Sequence, residues 1–100
     1  METLKVRKLS NWAGRAVEEF GSNLTARQLY FITIIALEEG QLATIDLAER
    51  TRIDKSTIAR NMKTLVTDGW VEYQYVGATA RSRRLFLTQA GKDALASITA

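Results

Sequence analysis

Positions 55–63 carry Lys55, Ser56, Thr57, Arg60, Asn61 and Lys63, and positions 81–84 carry Arg81, Arg83 and Arg84. Hydroxyl and amide side chains exchange hydrogen bonds with the polar edges of bases, whereas lysine and arginine bond guanine edges or phosphate oxygens. The chemistry on offer is recognition of a polyanion, with Ser56, Thr57, Arg60 and Asn61 suited to base edges and Lys55 and Lys63 to phosphates. The same six residues would also make an ordinary solvated helix face. Ser56 and Thr57 could do no more than satisfy backbone N–H groups. With no acid between Glu72 and Asp93, the three arginines could follow a nucleic-acid backbone or enter a minor groove. They could equally be charges that protect a strand edge. Thr44 has two uses as well, as a helix cap or as a phosphate contact.

Catalysis finds little support. Histidine and cysteine are both absent, so no disulfide, thiolate nucleophile or Cys/His zinc site can be built. The acids form no pair with metal or acid–base spacing, and there is no glycine-rich phosphate loop. The expectation is a chain that is not an enzyme and that uses no cofactor and no metal.

The 100 residues carry a net charge of +3, unevenly spread. Residues 1–40 hold five basic and five acidic side chains, while residues 41–92 hold nine basic against five acidic. A localised positive excess is the usual electrostatic footprint of a polyanion partner. The hydrophobic fraction of 46% and charged fraction of 25% suit one globular domain spanning 1–100. The basic N-terminus lacks the apolar region of a signal peptide, and the apolar stretch 32–37 is too short to cross a bilayer. A soluble, cytoplasmic protein without membrane contact is the default expectation.

Seven elements must position these groups. Leu9, Trp12, Ala13, Ala16, Val17 and Phe20 recur at offsets of three and four, predicting a helix of about ten to twelve residues. Ser10 or Asn11 would cap it, Gly21 would stop it, and residues 2–8 would be extended or a frayed turn. Thr25 with Gln28 three residues on reads as a capping box for a second helix running to about residue 39. Its inward positions are Leu29, Phe31, Ile32, Ile35 and Ala36. Thr44 is read as the cap of a short helix to about residue 50, with Ile45, Leu47 and Ala48 inward. Thr51, Arg52 and Ile53 form the turn. Asp54 caps the helix 54–67, whose apolar face is Ile58, Met62, Leu65 and Val66 and whose stop is Asp68-Gly69. The periodicity then switches to two. Residues 70–76 read as a strand with Val71, Tyr73 and Tyr75 on one face, and 82–87 as its return, with Leu85 and Leu87 inward. Alternation sets Arg81 and Arg83 against Arg84. Thr88 caps a last helix bearing Ala94, Leu95 and Ile98.

The order is mainly α with a small β-hairpin wing, a winged helix-turn-helix with its helix pair at about 44–67 and its wing at about 71–87. In such a unit the second helix of the pair enters the major groove.

Several stretches resemble the MarR family of winged-helix transcriptional regulators. Leu24-Thr25-Ala26-Arg27-Gln28 is similar to the family's "LT-x-x-Q", and Leu47-Ala48-Glu49-Arg50 to its "LAE-R". Residues 53–60 resemble the start of its recognition helix, and 65–71 the passage into its wing. Leu87-Thr88-Gln89-Ala90-Gly91-Lys92 looks like "LT-x-x-G-(K/R)". The resemblance covers about residues 24–95 and implies DNA contacts from Ser56, Thr57, Arg60 and Lys63, and a wing contact from Arg81. Two departures stand out. The family's "D-x-R" wing pattern has Thr79 in place of the aspartate before Arg81, and the last helix stops soon after it starts.

The expected function is a sequence-specific regulator that binds double-stranded DNA as a homodimer on a pseudo-palindromic site, as a repressor rather than an activator. Leu9, Trp12, Ala16 and Phe20, joined by Leu95 and Ile98, would form a shortened dimer interface; the same stripe could instead close the monomer core. Relatives hold effector pockets near that interface, though no residue here identifies a small-molecule effector. The competing reading is a winged-helix protein–protein adaptor that modulates another regulator.

Overall fold

The computed structural model describes residues 2–77 and 83–100. Its elements are α1 (Thr3–Phe20), α2 (Ala26–Leu37), α3 (Thr44–Thr51), α4 (Lys55–Thr67), β1 (Val71–Tyr75), β2 (Arg83–Leu87) and α5 (Gln89–Thr99). The two strands form one antiparallel hairpin, so the architecture is the expected helical unit with a β wing.

Helix α1 is longer than its apolar periodicity predicts. It has 18 residues and begins at Thr3, so Ser10 and Asn11 lie inside it instead of capping it. Residues 3–9 contain neither glycine nor proline, and a serine or asparagine in a helix interior costs only a few tenths of a kcal/mol. Nothing local therefore stops the helix from growing back to Glu2, which caps it without a side-chain bond.

Helix α2 starts as its sequence predicts. The Thr25 hydroxyl accepts the Gln28 N–H at 3.1 Å, and the Gln28 side-chain oxygen accepts the Thr25 N–H at 3.1 Å. Phe31, Ile32, Ile34 and Ile35 are all buried, which makes α2 the central helix. At α3 the cap is Ala43, not Thr44. Alanine has no side-chain acceptor, so only the acidic half of a capping box operates, the Ala43 N–H donating to Asp46 Oδ2 at 2.8 Å. Thr44 becomes the first helical residue. Leu47 points into the core, whereas Ile45 is 40% exposed and does not. The turn to α4 passes through Arg52 in the left-handed region, at φ 59°.

Helix α4 buries Ile58, Met62 and Leu65, while Val66 at its edge is exposed. Its end is a Schellman motif. Gly69 takes φ +85° and donates to the Val66 carbonyl at 3.1 Å, and Trp70 N–H donates to the Leu65 carbonyl at 3.0 Å.

The joint between hairpin and α5 is built around Thr88. Its hydroxyl accepts from Gly91 N–H at 3.0 Å and donates to the Gly69 carbonyl at 2.5 Å, while its own N–H donates to the Trp70 carbonyl at 3.1 Å. One residue thus caps α5 and ties it to the exit of α4. Thr88→Val keeps the shape but loses both hydroxyl bonds, and should lower the unfolding free energy by about 1–2 kcal/mol in a urea titration. The other side of the wing base is held by backbone bonds from Gly40 N–H to the Leu85 carbonyl (3.2 Å) and from Leu85 N–H to the Leu42 carbonyl (2.8 Å).

Helices α1 and α5 pack together. Ala16, Phe20, Ala94 and Ile98 are buried in the core, and Phe20 meets Trp70 edge-on with ring centroids 4.8 Å apart. Arg15 donates to the Ser97 and Ala100 carbonyls at 3.4 and 3.3 Å, satisfying the open end of α5. The apolar stripe of α1 is therefore divided: Ala16 and Phe20 close the monomer, while Leu9 and Trp12 remain 62% and 51% exposed. Ile98 is buried and Leu95 half-buried within the same chain. Among the described residues no helix is long and apolar enough to cross a membrane.

Candidate nucleic-acid interface

The outward face of α4 is set by its first turn. Asp54 accepts three bonds there: the Ser56 hydroxyl at 2.5 Å, the Thr57 hydroxyl at 2.7 Å and the Thr57 N–H at 3.0 Å. These donors, the Ser56 hydroxyl foremost, hold the Asp54 carboxyl well below the usual carboxylate range. Because the folded value is depressed, this contribution to stability is complete above the unfolded value near pH ~4 and fades as pH falls towards the folded one. Asp54→Asn should accordingly melt below the wild type at pH 7, with the gap closing on acidification; melting curves between pH 7 and 2 check it.

Ser56 and Thr57 thus serve the cap, with their hydroxyl protons directed at Asp54. Asn61 is also used within the helix, its side-chain amide donating to the Thr57 carbonyl at 2.8 Å. Arg60 donates to Thr57 Oγ1 at 3.3 Å, and Lys55, Ser56, Arg60 and Lys63 are all exposed. Leu47 of α3 and Ile58, Met62 and Leu65 of α4 are buried in one core cluster, which fixes the angle at which this polar face is presented.

The hairpin register pairs Tyr73 with Leu85, Gln74 with Arg84, and Tyr75 with Arg83. Arg83 therefore lies at the outer end of the face that buries Leu85 and Leu87, and half-buried Arg84 lies on the other face. The Arg83 guanidinium sits 3.9 Å from the centre of the Tyr73 ring. The Tyr73 hydroxyl is 2.8 Å from the Thr44 hydroxyl, joining wing to α3. Arg84 donates to the Arg83 carbonyl at 3.2 Å. Arg81 and Thr79 lie outside the described residues.

Thr44, Lys63, Tyr73 and Arg83 line one cleft between α3, α4 and the wing. Tyr73 is not among the site residues that the sequence points to. Alternation alone placed it on the core face; only the register across the hairpin sets it diagonal to Arg83.

Charge is distributed more sharply than the sequence division suggests. Arg50 is paired with Glu38 (2.8 Å) and Lys92 with Glu39 (3.1 Å), so two cations of the basic half are neutralised by the turn after α2. Among the described residues, no acid lies within salt-bridge distance of Lys55, Arg60, Lys63 or Arg83. Within the described part of residues 41–92, Lys55, Arg60 and Lys63 on α4, Arg83 on the wing and Arg52 in the turn before α4 thus have no acidic partner, whereas Arg50 and Lys92 do. Among the described residues, no group of three or more aspartates and glutamates could hold a metal ion.

A family model described as the MarR family matches residues 22–89. The chain is similar to the solved structure of RV1404 from Mycobacterium tuberculosis, with 20% identity and a TM-score of 0.80, over 97% of this chain and 65% of that one. It is also similar to a MarR transcriptional regulator from Methanosarcina mazei Go1, with 29% identity and a TM-score of 0.71, over 94% and 66% of the two chains. A third is a mutant MarR from E. coli complexed with operator DNA, with 20% identity and a TM-score of 0.69, over 95% and 68%. This chain spans less than two thirds of the length of the first two. No curated protein matches it in sequence.

Proposed function

We propose, because this chain belongs to the MarR family, that it binds double-stranded DNA sequence-specifically and represses transcription as a homodimer on a pseudo-palindromic site. The observation that carries this reading is that Lys55, Arg60 and Lys63 on α4 and Arg83 on the wing have no acid within salt-bridge distance among the described residues, while Arg50 and Lys92 are paired elsewhere. Helix α4 lies in the major groove. Arg60 reaches guanine edges, and Lys55 and Lys63 hold phosphates on either side. With their protons given to Asp54, Ser56 and Thr57 offer lone pairs, which suits the amino groups of adenine and cytosine. Arg83, with Arg81 and Arg84, follows the backbone beside the groove, and Thr44 adds a phosphate contact at the start of α3.

A second copy reads the other half-site. The exposed apolar residues Leu9 and Trp12 on α1 are the surface that supports pairing. Residues Ala16, Phe20, Leu95 and Ile98 contribute by bracing α1 against α5 rather than by facing a partner.

The test is anisotropy of a labelled random duplex pool titrated with protein across a salt series. Binding should weaken steeply with salt, because each phosphate contact releases counterions. Selection from the same pool should return sequences with two-fold symmetry. A folded protein that binds no duplex at low salt removes the DNA reading and leaves the adaptor. Sedimentation over a concentration series checks the dimer; a strictly monomeric chain removes it.

A further inference from the structure

We infer that Tyr73 is a positioning residue that holds the wing arginine Arg83 in place for a phosphate, by its ring face on one side and its hydroxyl on the other. Arginine side chains carry many rotamers, and ordering one usually needs a carboxylate or a close neighbour. Arg83 has no carboxylate: the chain has no acid between Glu72 and Asp93, and no described acid pairs with it. What it has is the Tyr73 ring, 3.9 Å from the guanidinium carbon. A guanidinium over an aromatic face keeps its N–H edge outward and its charge intact, so it remains available to an anion.

The ring is itself held. Val71, two residues earlier on the same face, is buried, and the Tyr73 hydroxyl meets the Thr44 hydroxyl at 2.8 Å, at the first residue of α3. Thr44 belongs to the helix pair, and Arg83 to the hairpin. Tyr73 therefore couples the two parts at their outer edge, as the backbone bonds of Leu85 couple them at the base. Lys63 of α4 lines the same cleft as Tyr73 and Arg83. The two cations approach one stretch of backbone from different elements, and the distance between them depends on where Tyr73 holds the arginine.

The phosphate role rests on the DNA reading above, whereas the hold on Arg83 does not, so two measurements separate them. In the NMR spectrum of the free wild-type protein, the Arg83 δ protons should lie upfield of their random-coil position, through the Tyr73 ring current. Tyr73→Phe should keep that shift and speed hydrogen exchange of the wing amides, as Thr44→Val should. Random-coil shifts for Arg83 in the wild type overturn the inference, whether or not any variant folds. In the duplex titration, Arg83→Ala and Tyr73→Leu should each lower the slope of log affinity against log salt by about 0.9, the value for one phosphate contact. The double variant should lower it no further, and Tyr73→Phe should leave it near wild type. A wild-type slope in Tyr73→Leu, beside a reduced one in Arg83→Ala, overturns the positioning role. Upfield Arg83 protons in a protein that binds no duplex strike the DNA reading and the phosphate role together, with the aromatic hold established on its own.

Discussion

Replacing Gly91 with alanine should destabilise the domain by about 2–3 kcal/mol, despite alanine being the better helix former. Two effects of opposite sign meet at this position. Alanine favours a helix interior over glycine by up to ~1 kcal/mol. Against that, a Cβ at residue 91 would stand 2.3 Å from the Trp70 carbonyl oxygen, a backbone atom that no rotamer change can move. The same carbonyl accepts the Thr88 N–H, so displacing it also disturbs the joint that ties α5 to the end of α4. The steric term wins because relief requires shifting α5 as a whole, and Ala94 and Ile98 hold that helix in the core. For a domain of this size the loss corresponds to a melting temperature lower by roughly 10–20 °C. A calorimetric scan checks it, and an unchanged or raised midpoint contradicts the packing described for α5. The glycine in Leu87-Thr88-Gln89-Ala90-Gly91-Lys92 is thus explained by close approach, since its backbone φ carries no left-handed requirement.

The other large effect concerns binding. Replacing Lys55, Lys63 and Arg83 together by alanine removes three exposed or partly stacked cations without touching the core. If each holds one phosphate, the salt slope should fall by about 2.7, and affinity near 0.1 M salt by two to three orders of magnitude, on the order of tenfold per lost contact. Stability should move little, because surface substitutions of this kind usually change it by less than ~0.5 kcal/mol each. Titration of the duplex pool at several salt concentrations, beside a melting curve of the variant, separates the two outcomes. An unchanged slope in a folded triple variant means these cations are not the DNA-facing set. A parallel triple replacement of Arg50, Arg15 and Lys92 should leave the slope alone, because those cations are committed to Glu38, the end of α5, and Glu39.

The caps and stops of this protein could be read from its sequence because each is a local event. Thr25 with Gln28, Asp54 with Thr57 and Thr88 with Gly91 are bonds between residues three apart, made by side chains whose chemistry suits an open helix end. Asp68-Gly69 closes α4 for the same reason. The periods of the apolar residues then fixed the sequence of helices and strands, and with it the helix pair and the wing. Where local signals are weak, expectation and structure part. Helix α1 runs past Ser10 and Asn11 because neither residue forces a start, and Thr44 yields its capping place to Ala43 because Asp46 can reach back.

Tertiary structure alone decided which candidate groups are free to act. Glu38 neutralises Arg50 from 12 positions away, and the Thr44 and Tyr73 hydroxyls meet across 29. No spacing rule reaches across such distances, since they depend on how α2, α3 and the hairpin pack together. The same packing divided the apolar stripe of α1, taking Ala16 and Phe20 inward and leaving Leu9 and Trp12 to solvent. Residue types and short-range hydrogen bonds determined what this chain could recognise. The long-range contacts determined which cations remain unpaired, and where the wing holds its arginine.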